Sequence, residues 1–270
     1  MALYQLNQYS VSSLTEIRNF THWGHIGDER FPTVSGEYKY LSEAEKKRSR
    51  DYKNFTYTIN EIGCRGKLSL DKSIAFLGCS FTFGEGIAEE EIFPYLVSNN
   101  LNTPYINLGC IGYSIPQIAH LFHASLKVFD FDTVVITLPS AFRFHYVTKD
   151  EMYWPVFPNQ DRDNLEHETI RKKVYPLLSE EYLLHQAKDY IIYMQTCADL
   201  FSKKIIWGTW NYNVQSLLNG IFGICTKFEF DSDESKQLQG DFIARDNMHP
   251  GIIQHSKYSE RIIKAIQATK

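Results

Sequence analysis

The chain has 270 residues, of which 43% are hydrophobic and 22% are charged, the balance of an ordinary globular protein. Its net charge is −4 and its basic residues are scattered, so we do not expect a nucleic-acid-binding surface. No run reaches the ~18 apolar residues of a membrane span, and residues 1–8 lack the basic head and apolar stretch of a signal peptide, so we expect a cytoplasmic protein without a membrane span.

The chain divides into a polar N-terminal part and a longer segment in which apolar runs alternate with helical patterns. Residues 1–70 are rich in Tyr, Asn and Ser and show little periodicity, so we interpret them as an extension packed on the main domain. From residue 71 onward, short apolar runs predict four buried parallel strands. These runs are Ser73–Gly78, Tyr105–Gly109, 133–138 and 204–208.

Helical patterns lie between and after these runs. Ser114 can cap a helix whose apolar residues recur at helical spacing from 115 to 126. Ser179 can open a second helix, because two glutamates follow it in the first turn. A last helix is expected to start near Gly251 and to continue through Ile266.

This alternation of strands and helices predicts an α/β fold, a three-layer sandwich with a central parallel sheet. In such folds the ligand site lies beyond the carboxyl ends of the strands. Residues 71–270 would form this domain, and residues 140–178 interrupt its alternation of elements. We interpret residues 140–178 as an insertion placed to overhang the site.

A glycine-rich segment follows the first predicted strand. Residues 78–86 read Gly-Cys-Ser-Phe-Thr-Phe-Gly-Glu-Gly, which puts Ser80 at a strand-to-helix turn at the mouth of the sheet. A serine becomes a good nucleophile only when a base removes its proton, so a histidine has to come from elsewhere in the chain. The glycines could instead form the turn alone or hold a phosphate, although a phosphate loop would contain a lysine that is absent here.

Two later segments contain candidate partners for this serine. Gly109 ends the second predicted strand and Gly112 follows it, and the two could serve an anion-binding turn, or only a tight turn before Ser114. Near the C-terminus, Asp246 and His249 are three positions apart, so one turn can bring the carboxylate against the imidazole. Taken alone, this pair would be equally compatible with a metal ligand or a surface pair.

Together these segments resemble the SGNH (GDSL-type) hydrolases. Residues 78–86 are similar to block I of that family, G-D-S-x-T-x-G-x-G, with Cys79 in place of the aspartate. Residues 107–112 resemble block II, N-x-G-x-x-G, and residues 246–250 resemble block V, D-x-x-H-P. Residues 60–66, Asn-Glu-Ile-Gly-Cys-Arg-Gly, match a stretch that often precedes block I in one branch of the family, and we interpret them as a structural lead-in without chemistry.

The resemblance implies a fold and a set of catalytic roles. The fold would be the flavodoxin-like SGNH fold, Ser80 would be the nucleophile, and His249 would be its base. Asp246 would orient the imidazole and stabilise its charged form. The backbone N–H groups of Ser80 and Gly112 would form the oxyanion hole, which stabilises the negative oxygen of the tetrahedral intermediate.

The segment after the third strand departs from the family pattern. Block III would supply an Asn side chain to the oxyanion hole, but residues 138–143 read Leu-Pro-Ser-Ala-Phe-Arg. Losing one such donor typically raises the barrier by about 3 kcal/mol. Ser140 or Arg143 could replace it, and Asn107 is a further candidate for contact with substrate or oxyanion.

The function implied by the resemblance is hydrolysis of an ester through an acyl-serine intermediate, without a metal or another cofactor. The substrate would be a small-molecule ester, an acylated sugar or a lipid. The same residues could serve an O-acyltransferase, and the missing block III Asn leaves a catalytically inactive binding protein of this fold as the alternative from another class. The five cysteines form no Cys-x-x-Cys pair, so we expect reduced thiols. The sequence does not specify the oligomeric state.

Overall fold

The computed structural model describes residues 36–39, 56–60, 62–69, 71–147, 153–156, 165–223, 225–227 and 249–268. Its strands in chain order are β1 (Gly36–Lys39), β2 (Thr56–Ile59), β3 (Ser73–Gly78), β4 (Tyr105–Gly109), β5 (Phe131–Leu138), β6 (Phe144–Val147), β7 (Tyr153–Val156), β8 (Lys204–Thr209) and β9 (Thr226–Lys227). Its α-helices are α1 (Ser80–Phe83), α2 (Phe93–Leu101), α3 (Ile115–Ser125), α4 (Leu165–Lys173), α5 (Glu180–Leu200), α6 (Tyr212–Phe222) and α7 (Ile252–Gln267). Short 3₁₀ turns are formed by Glu89–Glu91 and Tyr175–Leu177.

Five of the strands form a parallel sheet with the order β4-β3-β5-β8-β9. The strand that comes first in this sheet lies inside it, and the chain adds neighbours on both sides, as in doubly wound flavodoxin-like folds. The predicted α/β sandwich with a central parallel sheet is therefore confirmed. In this topology the direction of winding reverses between β3 and β5, and ligands bind beyond the carboxyl ends of the strands at that point.

Alternate residues of the strands face opposite sides of the sheet and pack under different helices. On β3, Ala75 and Leu77 belong to an apolar cluster under α3, α5 and α6. Ile74 and Phe76 belong to a second cluster under α2 and α7. Because helices cover both faces, the strands read as continuous apolar runs. Phe76 and Leu77 are fully buried, and each contributes about 2 kcal/mol relative to an exposed position.

The predicted helix starts are confirmed, because each has a local signal in the sequence. The Ser114 N–H donates to Gln117 Oε1 at 2.9 Å at the start of α3. Ser179 Oγ accepts the Tyr182 N–H at 3.0 Å at the start of α5. Gly251 precedes α7 directly. β9 was not predicted, since a strand of two residues leaves no apolar run to recognise.

The division into an extension, a domain and an insertion stays a prediction. Most of residues 1–55, and residues 148–152 and 157–164 within the predicted insertion, lie outside the described residues. The described part of the insertion contains the antiparallel pair β6–β7 and helix α4. None of the helices in the described ranges is long and apolar enough to cross a lipid bilayer. The cytoplasmic location stays a prediction.

Candidate active site

The predicted nucleophile is the first residue of α1, directly beyond the carboxyl end of β3. Ser80 is 5% exposed, and its carbonyl accepts the N–H groups of Gly84 and Glu85 at 2.8 and 3.1 Å. Gly84 has φ +80°, a left-handed conformation that favours glycine, and it ends α1 after one turn. Within the described ranges the Ser80 hydroxyl makes no hydrogen bond, including to His249. The turn therefore holds the Ser80 backbone without engaging its side chain.

Cys79 occupies the position at which block I of the family has an aspartate. Its side chain is fully buried and belongs to the apolar cluster under α2 and α7. An ionised carboxylate at this position would be buried among apolar side chains, which is costly without a polar partner. We call the turn between β3 and α1, with the loop that follows α1, the corner after β3. A thiol suits the apolar surroundings of this corner better than the family's aspartate does.

A buried arginine holds the loop that follows α1. The guanidinium of Arg65 donates to the carbonyls of Phe83 at 2.8 Å, Gly84 at 2.5 Å and Ile87 at 2.6 Å. Burial lowers the pKa of Arg65, but a guanidinium stays protonated in proteins. Our interpretation of residues 60–66 as a structural lead-in omitted this role. The only signal for it in the sequence is an arginine between two glycines just before a predicted buried strand.

Asn107 connects the turn after β4 to α1. Its Nδ2 donates to the Thr82 carbonyl at 3.1 Å, and its Oδ1 accepts the Gly109 N–H at 2.9 Å. Among the described residues, no acceptor takes the N–H of Ser80 or of Gly112, the two groups predicted for the oxyanion hole. Asn107 is buried and holds the two turns together, and its contact with substrate stays a prediction.

The predicted base lies against the same corner, although it comes from the C-terminal part of the chain. The His249 ring packs edge-on against Phe81, with ring centroids 5.7 Å apart. Its Nε2 lies 3.4 Å from Glu85 Oε2. Asp246 lies outside the described residues, so its contact with His249 stays a prediction. Sequence reasoning missed Glu85, whose only signal is its position between the last two glycines of block I.

Two further aromatic side chains, Trp210 and His255, lie near His249. The Trp210 ring, just beyond β8, stacks on Phe81 with centroids 5.0 Å apart and the planes 28° apart. His255 in the first turns of α7 is fully buried, and its Nδ1 accepts the Phe93 N–H at 3.0 Å. Burial, with smaller contributions from Arg65 and His249, lowers the pKa of His255 to about 3. His255 is therefore neutral at ordinary pH.

The segment that replaces block III lies beside the Gly112 turn. Arg143 Nη1 donates to the Tyr113 carbonyl at 3.0 Å, so a guanidinium contacts the residue next to Gly112. The Ser140 hydroxyl accepts the Phe142 N–H at 3.2 Å, and the Ser140 carbonyl accepts the Arg143 N–H at 3.1 Å. Ser140 thus shapes its own turn, while the oxyanion roles of both residues stay predictions.

Within the part of the chain that the structure describes, no group of three or more His, Cys, Asp or Glu side chains could hold a metal ion. All five cysteines are free thiols, and four of them are buried. That the reaction needs no cofactor stays a prediction.

The structural neighbours of this chain are SGNH/GDSL-family esterases and family 2 carbohydrate esterases. A structure from Desulfitobacterium hafniense DCB-2, assigned to the G-D-S-L family of lipolytic proteins, is 13% identical and has a TM-score of 0.46, with 72% of this chain and 99% of that chain covered. The psychrotrophic esterase EstA from Pseudoalteromonas sp. is 12% identical with a TM-score of 0.46, over 73% of this chain and 98% of that chain.

A family two carbohydrate esterase from Clostridium thermocellum, solved in complex with cellohexaose, is 14% identical and has a TM-score of 0.47. Here 79% of this chain and 67% of that chain are covered. No protein-family model matches the sequence, and no curated protein matches it. These similarities concern the backbone fold and do not assign a role to any individual residue.

Proposed function

We propose that this protein hydrolyses an ester bond through an acyl intermediate on Ser80, with His249 as the base. One observation carries the proposal: His249, from the far end of the chain, packs against Phe81, the residue that follows Ser80. Both lie beyond the carboxyl end of β3, beside the point where the winding of the sheet reverses and where ligands bind in such folds.

The reaction begins when Ser80 Oγ attacks the ester carbonyl carbon and His249 takes the hydroxyl proton. The carbonyl oxygen becomes negative and is stabilised by the N–H groups of Ser80 and Gly112, which have no other acceptor among the described residues. The imidazolium then gives its proton to the departing alcohol, which leaves an acyl-Ser80. Asp246 orients the imidazole and stabilises its charged form.

The second half of the reaction restores the serine. His249 takes a proton from water, and the resulting hydroxide attacks the acyl carbon. The imidazolium returns this proton to Ser80 Oγ as the acid leaves. The hydrogen bond from Ser80 to His249 forms during the reaction, since such bonds often tighten only when substrate binds. The substrate is a small-molecule ester, an acylated sugar or a lipid.

Arg143 takes the place of the block III Asn in this proposal. Its guanidinium contacts the Tyr113 carbonyl, next to the Gly112 N–H. A guanidinium carries several N–H donors in a fixed plane, so one group can bind a carbonyl and also approach a developing oxyanion. The oxyanion would therefore have three donors, the N–H groups of Ser80 and Gly112 and the Arg143 guanidinium, although the block III Asn is absent.

The test is covalent labelling with a fluorophosphonate probe, followed by rate measurements on a panel of p-nitrophenyl esters of increasing acyl length. The wild type should be labelled, and Ser80→Ala should lose the label, while the exposed Ser216→Ala retains it. His249→Gln should lower kcat by on the order of a thousandfold or more.

Two results would count against ester hydrolysis. A wild type that neither takes the label nor cleaves any ester contradicts the proposal and favours an inactive binding protein. Labelling accompanied by transfer of the acyl group to an added sugar, detected by mass spectrometry in preference to release of the acid, favours an O-acyltransferase.

A further inference from the structure

Glu85 places a carboxylate beside the predicted base, in the loop that also carries the predicted nucleophile. His249 Nε2 lies 3.4 Å from Glu85 Oε2, and the two side chains are only 14% and 6% exposed. We infer that Glu85 is a positioning residue for His249, which holds the imidazole at this corner and stabilises its charged form. The inference rests on the proposed function and adds a residue to that site.

The backbone around Glu85 is held rigidly relative to Ser80. The Glu85 N–H donates to the Ser80 carbonyl at 3.1 Å, and the preceding Gly84 is in the left-handed conformation. The following Gly86 N–H donates to the buried hydroxyl of Tyr57 at 2.7 Å. The Glu85 backbone is therefore held next to the Ser80 backbone by the fold.

The electrostatic effect of Glu85 follows from its charge and burial. A carboxylate within about 4 Å of an imidazole favours the imidazolium, and the interaction is stronger where water is excluded. When Ser80 attacks, its proton moves to His249, and the new positive charge forms next to Glu85. Glu85 keeps its negative charge throughout and takes no proton. It therefore stabilises the state that exists after the serine has lost its proton.

The other titratable groups near His249 do not supply this charge within the described part of the chain. His255, on α7, is neutral because burial lowers its pKa to about 3. Arg65 is positive and is engaged with the carbonyls of the loop after α1. Asp246, the predicted orienting carboxylate, lies outside the described residues. Glu85 would stabilise the imidazolium through its charge, 3.4 Å from Nε2, while Asp246 orients the ring and one ring nitrogen stays available for the Ser80 proton.

The test compares Glu85→Gln with Glu90→Gln, the same change at an exposed position of the same loop. In E85Q the acid limb of kcat/KM against pH should move to lower pH by about one unit, because the imidazolium loses a carboxylate. We expect kcat to fall by on the order of tenfold, and Glu85→Asp to restore part of the loss. NMR titration of the His249 ring should show the same displacement without relying on turnover.

The outcomes separate this inference from the proposed function. If E85Q has the same pH profile and ring titration as E90Q while Ser80 still takes the fluorophosphonate label, the role of Glu85 is wrong and the proposed function stands. A rise of kcat in E85Q would also overturn the inference, since Glu85 would then be holding His249 away from Ser80. A wild type that takes no label removes the proposed function, and the catalytic role of Glu85 with it.

Discussion

The corner after β3 and the corner after β5 lie side by side at one edge of the sheet, but they are held in different ways. After β3, the buried Arg65 binds three carbonyls of the loop, and the buried Asn107 binds α1 to the neighbouring turn. After β5, the half-buried Arg143 donates to the Tyr113 carbonyl, 30 positions away, and the half-buried Ser140 accepts the Phe142 N–H within its own turn. The position of Ser80 therefore depends on fully buried contacts, most of them between distant segments, whereas the contacts of Ser140 and Arg143 are only half-buried.

The largest effect is expected when Arg65, which holds the corner after β3, is replaced. Arg65→Met keeps an unbranched side chain but leaves the carbonyls of Phe83, Gly84 and Ile87 without their donor. We expect the free energy of unfolding to fall by about 4 kcal/mol, because buried polar groups left unpaired are costly. Urea denaturation measures this loss. Arg143→Met is the matched control at the second corner and should cost about 1 kcal/mol.

If Arg65→Met and Arg143→Met lower the free energy of unfolding equally within error, the two corners are held equally strongly, contrary to the difference described above. The fluorophosphonate label adds a second readout, since folded Arg65→Met should react more slowly at Ser80. Equal labelling rates for wild type and Arg65→Met would mean that the loop keeps its position without the guanidinium.

A smaller loss is expected from Gly84→Ala in the same loop. Gly84 has φ +80°, and an added Cβ would clash with Ile92 and approach Arg65 Nη1 at 2.9 Å. We expect a loss of about 3 kcal/mol from backbone strain and crowding together. Gly223→Ala is the control, because φ is +71° there and no atom lies within 4 Å of the added Cβ. It should cost about 1 kcal/mol from the backbone alone.

The difference between the two alanine variants, measured by thermal or urea denaturation, isolates the crowding around Gly84. Equal losses would mean that the loop after α1 yields easily, contrary to a corner held by buried contacts. An unchanged labelling rate at Ser80 in folded Gly84→Ala would lead to the same conclusion.

The contrast between the corners also explains which features of the fold can be predicted from the sequence and which cannot. Strand β3 and the helix starts at Ser114 and Ser179 were predictable because apolar runs and caps are local signals. The function of Arg65 was not, because its acceptors lie 18 to 22 positions away and are reached only after the loop has folded. Tertiary contacts of this kind leave no periodic pattern.

The same distinction between local signals and tertiary contacts applies to the residues of the candidate site. The motif resemblance indicated Ser80 and His249, and the structure brings both to one corner beyond β3. It did not indicate Glu85, because the contact joins a loop near the first strand to a residue just before the last helix. The replacement of aspartate by Cys79 likewise became intelligible only when the surrounding apolar cluster was visible.

The second corner leads into β6, where a histidine makes stability depend on pH. His145 Nδ1 lies 3.0 Å from Ser114 Oγ, and burial, followed by the charge of His120, lowers its pKa to about 4. Between pH 6.5 and 4 the unfolded chain therefore binds a proton that the folded chain does not, and stability falls as pH falls through this window. The expected loss from this group is about 2 kcal/mol between pH 7 and 4.5.

Urea denaturation at pH 7 and pH 4.5 checks this expectation. His145→Gln should lose about 2 kcal/mol less than wild type over this interval, since it cannot take up the proton. His185→Gln, at an exposed position of α5, is the control and should follow wild type. If His145→Gln and wild type lose stability in parallel, the His145 ring is open to solvent and the segment after β5 does not bury it.

The smallest expected effect separates the two candidates for the missing block III Asn. Ser140 uses its hydroxyl to accept the Phe142 N–H within its own turn, whereas the Arg143 guanidinium reaches the residue next to Gly112. Ser140→Ala should therefore leave kcat/KM within about twofold of wild type and stability within about 0.5 kcal/mol. Arg143→Gln should lower kcat on the order of tenfold with little change in KM, because an oxyanion contact acts only in the transition state.

The pair of variants is informative because both residues lie at the same half-buried turn, so a general disturbance would affect them equally. A large fall in kcat for Ser140→Ala with a neutral Arg143→Gln would transfer the oxyanion role to the hydroxyl. A neutral result for both would leave the backbone N–H groups of Ser80 and Gly112 as the whole oxyanion hole. In that case the corner after β5 would be dispensable for chemistry, and the oxyanion donors would come from the corner after β3 and the Gly112 turn after β4.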